Sequence, residues 1–380
     1  MGSLLAPAGV DYAESRQHEL RKTRIVMVDG NLTTNSETTE GGSSARVFNK
    51  GYWGFASTPT MDDDGARKVA KKAVENARTM CRFGDQPSLD LPLGHHVGEH
   101  GYNGRPPLGQ KETVDLLETL NAHCKEKYPT LKSASFMIMQ EAHEKRLATS
   151  NGSEGLSTTN RAAFYIIFSA EDRNGRPVEL METFSGRGNL ADLELSLDLL
   201  TPRLDELHGH LQAKCNAVAP RGGKQTVIIS PALAGMLAHE AMGHPCEADS
   251  VIGGAVTANL VGQPVASDLV TMVDLAHSYQ GEELMIPVYI DDEGTEAKDV
   301  TLIENGILKS FMTNRESAAK LGIPASGNAR AYTFNDEPLI RMRNTAILPG
   351  KSKLEDMIAD VEAGYYLMHT GNGQADSTTE

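Results

Sequence analysis

The stretch LAHEAMGHPCEAD, Leu237 to Asp249, places two histidines, His239 and His244, around Glu240. Neutral imidazoles bind zinc, and a glutamate beside them is placed to take a proton from a water that the metal polarises toward attack on a carbonyl. In the usual form of this device the histidines lie four residues apart on one helical face. Here they are five apart, which on a straight α-helix is about 140° of rotation and sends the side chains to different sides. Glu240, His244 and Glu247 share a face instead, at i, i+4 and i+7. Gly243 and Pro245 flank His244. A residue before proline is pushed out of the α region and glycine accepts almost any dihedral, so the helix is expected to end at about Gly243 and let His244 swing back to His239. Two histidines are one ligand short of a catalytic zinc site. Cys246, Glu247, Asp249, Cys215 and His277 could each supply the third, and the spacing does not decide among them.

The elements that must hold this motif can be read around it. QTVIIS reads as a strand, and Ser230 as the N-cap of the motif helix with Pro231 in its first position. Downstream, DLVTMVD, IPVYIDD and the pair VTLIENGILKSFM, turning at Asn305-Gly306, read as strands. SKLE, Ser352 to Glu355, reads as a capping box opening a last helix that buries Leu354, Met357, Ile358 and Val361. Upstream, the first 57 residues suggest an antiparallel meander with turns at Asp29-Gly30 and Asn49 to Gly51. Asp62, Asp63 and Asp64 precede a helical stripe from Ala66 to Met80, and a second helix is expected over Lys111–Lys127. LGHHVGEHGYNGRPPLG, with His95, His96 and His100, reads as an exposed loop rather than a metal site. SASFMIMQ and EKRLATS suggest one hairpin, and AAFYIIFSAEDRNGRPVELMETF a second, turning at Asn174-Gly175. A long helix from about Asp192 to Ala217 is expected to break or bend near Pro202.

Helices and antiparallel strands are mixed rather than alternating as βαβ units, so the fold class is α+β. The Pro and Gly punctuation of APRGGK divides the chain into residues 1–218, an antiparallel sheet with helices, and 219–380, a β-rich domain carrying the motif helix. The chain of 380 residues carries 36 Lys and Arg against 51 Asp and Glu, a net charge of −15, which argues against direct nucleic-acid binding. Four cysteines without C-x-x-C spacing fit reduced thiols in the cytoplasm better than a disulfide framework. The opening MGSLLAPAGVDYAES lacks the basic and apolar regions of a signal peptide, and no apolar run approaches the ~20 residues of a membrane span.

Taken together, the blocks resemble the TldD/PmbA family of metallopeptidases. HEAMGHPCEAD is similar to that family's H-E-x-x-x-H element with its later acidic residue, Glu247. GVDYAESR, YIDDEGT, LIENGIL, SGNAR, PLIRMRNTAILPG and GNGQADSTT follow as further matching blocks in the family's order. The resemblance implies a two-domain α+β protein that works in the cytoplasm as a dimer, either a homodimer or a heterodimer with a paralogue lacking the motif. It implies a zinc peptidase acting on unfolded or short peptides, with zinc on His239 and His244 and Glu240 activating water. The family's third ligand is a cysteine beyond the GNGQADSTT block, and this chain ends at Glu380. The expectation is therefore a C-terminally truncated form of such a peptidase or a split or degenerate member. The alternative is a non-catalytic peptide-binding or scaffold subunit beside an active paralogue. The family's association with DNA gyrase modulation is read as indirect, given the acidic charge. Arg330, Arg341 and Asn344 lie in matching blocks and could hold a peptide's carboxylate or backbone, since the guanidinium fork suits carboxylates.

Overall fold

The computed structural model describes residues 9–84, 86 and 89–369; the GNGQADSTT block, 371–379, lies outside them. The chain opens as three antiparallel strands, β1 (Tyr12–Val28), β2 (Asn31–Asn49) and β3 (Tyr52–Thr58). The turns joining them hold Asp29 and Gly30 at φ 53° and 85°, and Lys50 and Gly51 at 49° and 83°. Two successive left-handed residues make the type I′ geometry that matches strand twist. α1 (Asp63–Met80) follows, its first turn closed by the Asp62 carboxylate accepting from Gly65 N–H at 2.7 Å. Next come β4 (Val97–Tyr102), α2 (Gln110–Lys127), β5 (Ser133–Thr149), β6 (Glu154–Glu171), β7 (Pro177–Arg187) and α3 (Leu197–Cys215).

These strands form one sheet in the order β3-β2-β1-β5-β6, and both β4 and β7 dock on the free edge of β6. β4 runs parallel along Glu154–Thr159 and β7 antiparallel along Arg161–Glu171. Alternate residues of β1, β5 and β6 (Ile25, Met27, Phe136, Ile138, Phe164, Ile166, Phe168) meet Leu117 and Leu120 of α2 and Leu200, Leu204, Leu207 and Leu211 of α3 in a buried core. α1 lays Val69, Ala73 and Ala77 against Ala13, Ala45 and Val47.

Three expectations for this half change. SASFMIMQEAHEKRLAT is a single strand, β5, paired along its length with β1 and β6. Its polar middle faces the other half of the molecule, so polarity there marks an interface and not a turn. The histidine-rich segment is largely exposed as expected but not all loop: Val97–Tyr102 is a strand whose ladder to β6 pairs its backbone. α3 starts at Leu197, capped by Ser196, and passes through Pro202 without a break.

The second half has shorter strands. β8 (Val227–Ile229), α4 (Pro231–Leu237), α5 (Ala248–Ile252) and β9 (Met272–Leu275) precede the ribbon β10–β11 (Ser278–Tyr279, Glu282–Glu283). Then come β12 (Val300–Glu304), β13 (Ile307–Leu308), α6 (Arg315–Leu321), the ribbon β14–β15 (Ala329–Arg330, Leu339–Ile340), β16 (Asn344–Ile347), α7 (Leu354–Ala359) and β17 (Tyr365–Leu367). β13-β12-β9-β16 form a four-stranded sheet, with Asn305 and Gly306 at φ 49° and 80° in the expected hairpin turn, and β17 pairs with β8 in parallel. Met272, Val300, Leu302, Leu308, Met312 and Met342 form the core under the motif helix.

IPVYIDD is not a strand; apart from one bridge, Ile290 to Glu296, it is an irregular segment. α7 begins after Lys353 without a side-chain cap, and Met357 and Ile358 are exposed rather than buried.

The two halves are tied by charge. Asp292 takes Lys145 at 2.7 Å and Arg16 at 3.4 Å, Glu293 takes Arg46 at 2.5 Å, and the Tyr12 hydroxyl donates to Glu293 O at 2.9 Å. Burial alone would raise the Asp292 pKa, but Lys145 and Arg16 hold it well below the usual carboxylate range.

Candidate metal centre

α4 is opened by Ser230, whose Oγ accepts from Leu233 N–H at 3.2 Å, with Pro231 in the first position. From Ala238 to Gly243 the helix widens into a π-turn, and the His244 N–H donates to the His239 carbonyl, five residues back. A short 3₁₀ turn, His244–Cys246, follows. Gly243 (φ −62°, ψ −59°) and His244 (φ −60°, ψ −45°) both stay in the right-handed helical region. The expected helix end at Gly243 is therefore replaced by a continuous, overwide turn. Such π-bulges are rare and gather at functional sites. A π-turn holds about one residue more than an α-turn, so it absorbs the extra residue of the H-E-x-x-x-H spacing and returns His244 to the side of His239. The two rings meet edge-on, centroids 4.8 Å apart.

Gly243 serves by its missing side chain rather than by its dihedral freedom. A Cβ there would stand 2.1 Å from Met342 Sδ and 3.2 Å from Ala238 O.

His239, Glu240 and His244 place ligand atoms within 4.8 Å of one another, and among the described residues they are the only group of three or more potential metal ligands. The side chains of His239 and His244 are 46% and 38% exposed, open enough for a substrate to reach them. Burial, reinforced by the neighbouring His244, lowers the pKa of His239, which favours the neutral imidazole a metal needs. Glu247 is buried, with its Oε2 3.0 Å from His244 Nδ1. That carboxylate fixes the ring and leaves Nε2 free to face a ligand, as in carboxylate–histidine–zinc arrangements. Burial pushes the Glu247 carboxyl up, while His244 and, more distantly, Arg341 act to keep it ionised.

The candidate third ligands lie elsewhere. Cys246 is fully buried in the core and burial pushes its thiol up to about 12. Cys215 ends α3 and packs on the sheet core of the first half. His277 stacks on Tyr289 at 4.5 Å, and the exposed Asp249 accepts from Ser250 N–H.

A cleft of about 430 Å³ runs between the halves, floored by His143, Lys145, Ser157, Thr158, Thr159 and Arg161 and roofed by residues 286–290, Arg330 and Arg341. The zinc-motif side chains do not line it; Arg341 connects the two places, facing the cleft and acting on Glu247. Arg330 is half-buried, donates to Met342 O, and has a buried Nε without a partner among the described residues. The Arg341 side chain is exposed and makes no hydrogen bond or ion pair among the described residues. Asn344 is engaged within the fold. Its amide donates to Leu275 O at 3.1 Å and Ile286 O at 2.8 Å, clamping the cleft roof to β9.

Sequence reasoning missed Met342, the partner of Gly243, and the cleft floor. The alternation Arg341, Met342, Arg343, Asn344 carries the signal for the first. Nothing local in β5 or β6 marks the second, since a floor built across strands is visible only in the register.

Two family models match. The PmbA/TldA metallopeptidase domain 1 covers residues 13–77, and the PmbA/TldA metallopeptidase C-terminal domain covers residues 222–380. A zinc metalloprotease TldD homolog of Saccharolobus solfataricus is 26% identical over 370 residues, 97% of this chain and 80% of that protein. A metalloprotease of Methanothermobacter thermautotrophicus is 29% identical over 381 residues, 97% of this chain and 78% of its own length. A metalloprotease TldD homolog of Buchnera aphidicola is 38% identical over 160 residues, 41% of this chain and 32% of that protein. Among solved structures, TldE from Thermococcus kodakarensis superposes with a TM-score of 0.71 at 20% identity, covering 97% of this chain and 82% of that one. A putative modulator of DNA gyrase from Bacteroides thetaiotaomicron gives 0.76 at 16% identity, covering 98% and 80%. Both likenesses speak to the fold. With two models of one family spanning more than half of the sequence in the matching order, the chain belongs to the PmbA/TldD metallopeptidase family.

Proposed function

We propose that the protein is a zinc-dependent peptidase of short or unfolded peptides, and the observation that carries this is the π-turn bringing His239, Glu240 and His244 together. The donor set fits zinc: two imidazoles and a neighbouring carboxylate, with one imidazole oriented by the buried Glu247. His239 and His244 would hold the ion, which supplies Lewis acidity to a carbonyl and acidity to a water. Glu240 accepts that water's proton at a carboxylate oxygen and passes it to the leaving amine. Glu247 keeps the His244 ring turned so that Nε2 faces the ligand. The peptide lies in the cleft between the halves, and residues 1–218 and 219–380 act as the two domains that enclose it.

The protein works in the cytoplasm, as a homodimer or beside a paralogous subunit. No described helix is long and apolar enough to cross a membrane. The scaffold reading rests on one observation, that among the described residues no third histidine or cysteine joins the pair.

Zinc binding measured by competition with a chromogenic chelator, together with hydrolysis of an unfolded peptide, separates the two readings. The peptidase reading expects tight zinc binding that His244→Ala removes and turnover that Glu240→Gln removes while zinc stays bound. Turnover unchanged in Glu240→Gln, or no zinc binding at all, would refute it.

A further inference from the structure

Resting on the peptidase reading, we propose that the cleft recognises a carboxylate of the substrate through Arg341 and Arg330, so that a peptide is selected by an anionic group, first of all its free C-terminus.

The lining's charges carry this. Lys145 is matched by Asp292 at 2.7 Å, Arg161 by Glu141, and Glu283 by Arg187 at 2.6 Å. Every carboxylate in the lining thus has a basic partner, and two guanidiniums are left over. Arg341 has no polar partner for its side chain among the described residues, and the half-buried Arg330 has only a backbone carbonyl, its buried Nε unpaired. In a chain of net charge −15, two arginines at the wall of one cavity with no ion pair among the described residues leave donors that an anion would satisfy. A buried donor left open is costly unless a ligand completes it. The guanidinium fork matches a carboxylate in shape as well as charge.

Location points to a peptide rather than a free ion. Arg341 faces the cleft and also acts on Glu247, whose Oε2 holds His244 Nδ1 at 3.0 Å. A carboxylate seated on it would lie at the wall of the cleft whose charge reaches the Glu247 that supports His244. The hydroxyls of Ser157, Thr158 and Thr159 on the floor make no side-chain hydrogen bond among the described residues and are free to meet the rest of the chain.

The test measures binding, separate from turnover. Zinc-loaded Glu240→Gln protein is titrated with a fluorescent hexapeptide as its free acid, as its C-terminal amide, and as free acid with every Asp and Glu changed to Asn and Gln. The free acid should bind roughly 10- to 100-fold tighter than the amide, with the preference lost in Arg341→Ala and partly restored in Arg341→Lys. Arg341 is exposed, so these variants should keep the parent's melting temperature; Arg330, which donates to Met342 O, is left in place. If the amide binds like the free acid while the Asn/Gln peptide binds weakly, the carboxylate is an acidic side chain and not the terminus. If all three peptides bind alike, or Arg341→Ala leaves the preference intact, the proposal is overturned. A carboxylate preference in a protein whose wild type cleaves nothing would sink the peptidase reading and leave the subsite standing.

Discussion

Replacing Gly243 by alanine tests whether the π-turn depends on the missing side chain. In an ordinary helix the change gains about 1 kcal/mol from helix propensity and a stiffer unfolded chain. Here the new methyl would lie 2.1 Å from Met342 Sδ, a distance no real pair of atoms keeps, and 3.2 Å from Ala238 O, which needs only a small shift. Met342 is buried in the core of this half, so overpacking should cost about 1–3 kcal/mol and leave Gly243→Ala net destabilising by about 1 kcal/mol. Met342→Ala alone should cost about 2–5 kcal/mol through its cavity. In that background the obstacle is gone, and Gly243→Ala should turn stabilising by up to about 1 kcal/mol. The coupling is then about 2 kcal/mol, within the range for residues in contact. Urea unfolding of the four proteins measures it. Zinc affinity, read in parallel, should fall by about tenfold or more in Gly243→Ala and recover in the double variant, because ring orientation is what the turn supplies. If Gly243→Ala stabilises equally in both backgrounds, glycine is there for some reason other than room, and the account of the turn fails.

Other changes probe the supports of the site. Glu247→Ala should weaken zinc binding about 10- to 100-fold by freeing the His244 ring, with little loss of secondary structure in circular dichroism; unchanged affinity would remove Glu247 from the site. Arg343 and Asp274 form a fully buried pair at 2.8 Å, so Arg343→Ala should cost about 3–5 kcal/mol by stranding the aspartate, seen as a lower urea midpoint. Burial, with Glu293 adding to it and Arg46 opposing, pushes Glu14 up to about 7. A carboxyl raised in the folded state keeps a proton that the unfolded chain has lost above about pH 4.5, so this group makes stability fall as pH rises from there to about 7. Glu14→Gln should flatten that part of a melting-temperature profile, and an unchanged slope would locate the effect elsewhere.

What could be read from the sequence follows how local its cause is. The I′ turns at Asp29-Gly30 and Asn305-Gly306, the Asp62 cap and the Ser230-Pro231 start are fixed by one or two residues and are all present in the fold. The pairing of His239 with His244 was also legible, but its means was not. Proline's steric preference argued for a helix end, whereas the packing of Met342 against Gly243 and the donation from His244 N–H to His239 O favour a wider turn. The burial of the acids in YIDDEGT has no local cause, because their partners, Arg16, Arg46 and Lys145, lie more than a hundred residues away in the other half. Exposure of Met357 and Ile358 likewise depends on what α7 packs against, which no periodicity reports.

The segment Arg341 to Asn344 shows why the site and the cleft stand or fall together. Extended chain points successive side chains to opposite faces, and here each of four neighbours has a different duty. Arg341 faces the cleft, Met342 fills the space beside Gly243, Arg343 is locked to Asp274, and Asn344 clamps Leu275 and Ile286. The buried pair Arg343–Asp274 sets the register, since Asp274 also accepts from Arg343 N–H at 2.7 Å and pairs with Thr345 across the sheet. A one-residue slip would put either Arg343 in Met342's place against the π-turn or Met342 in Arg343's place against Asp274, so register here is strongly specified. The same ion pair that holds a strand in line therefore holds the spacing of two histidines and the aim of an arginine.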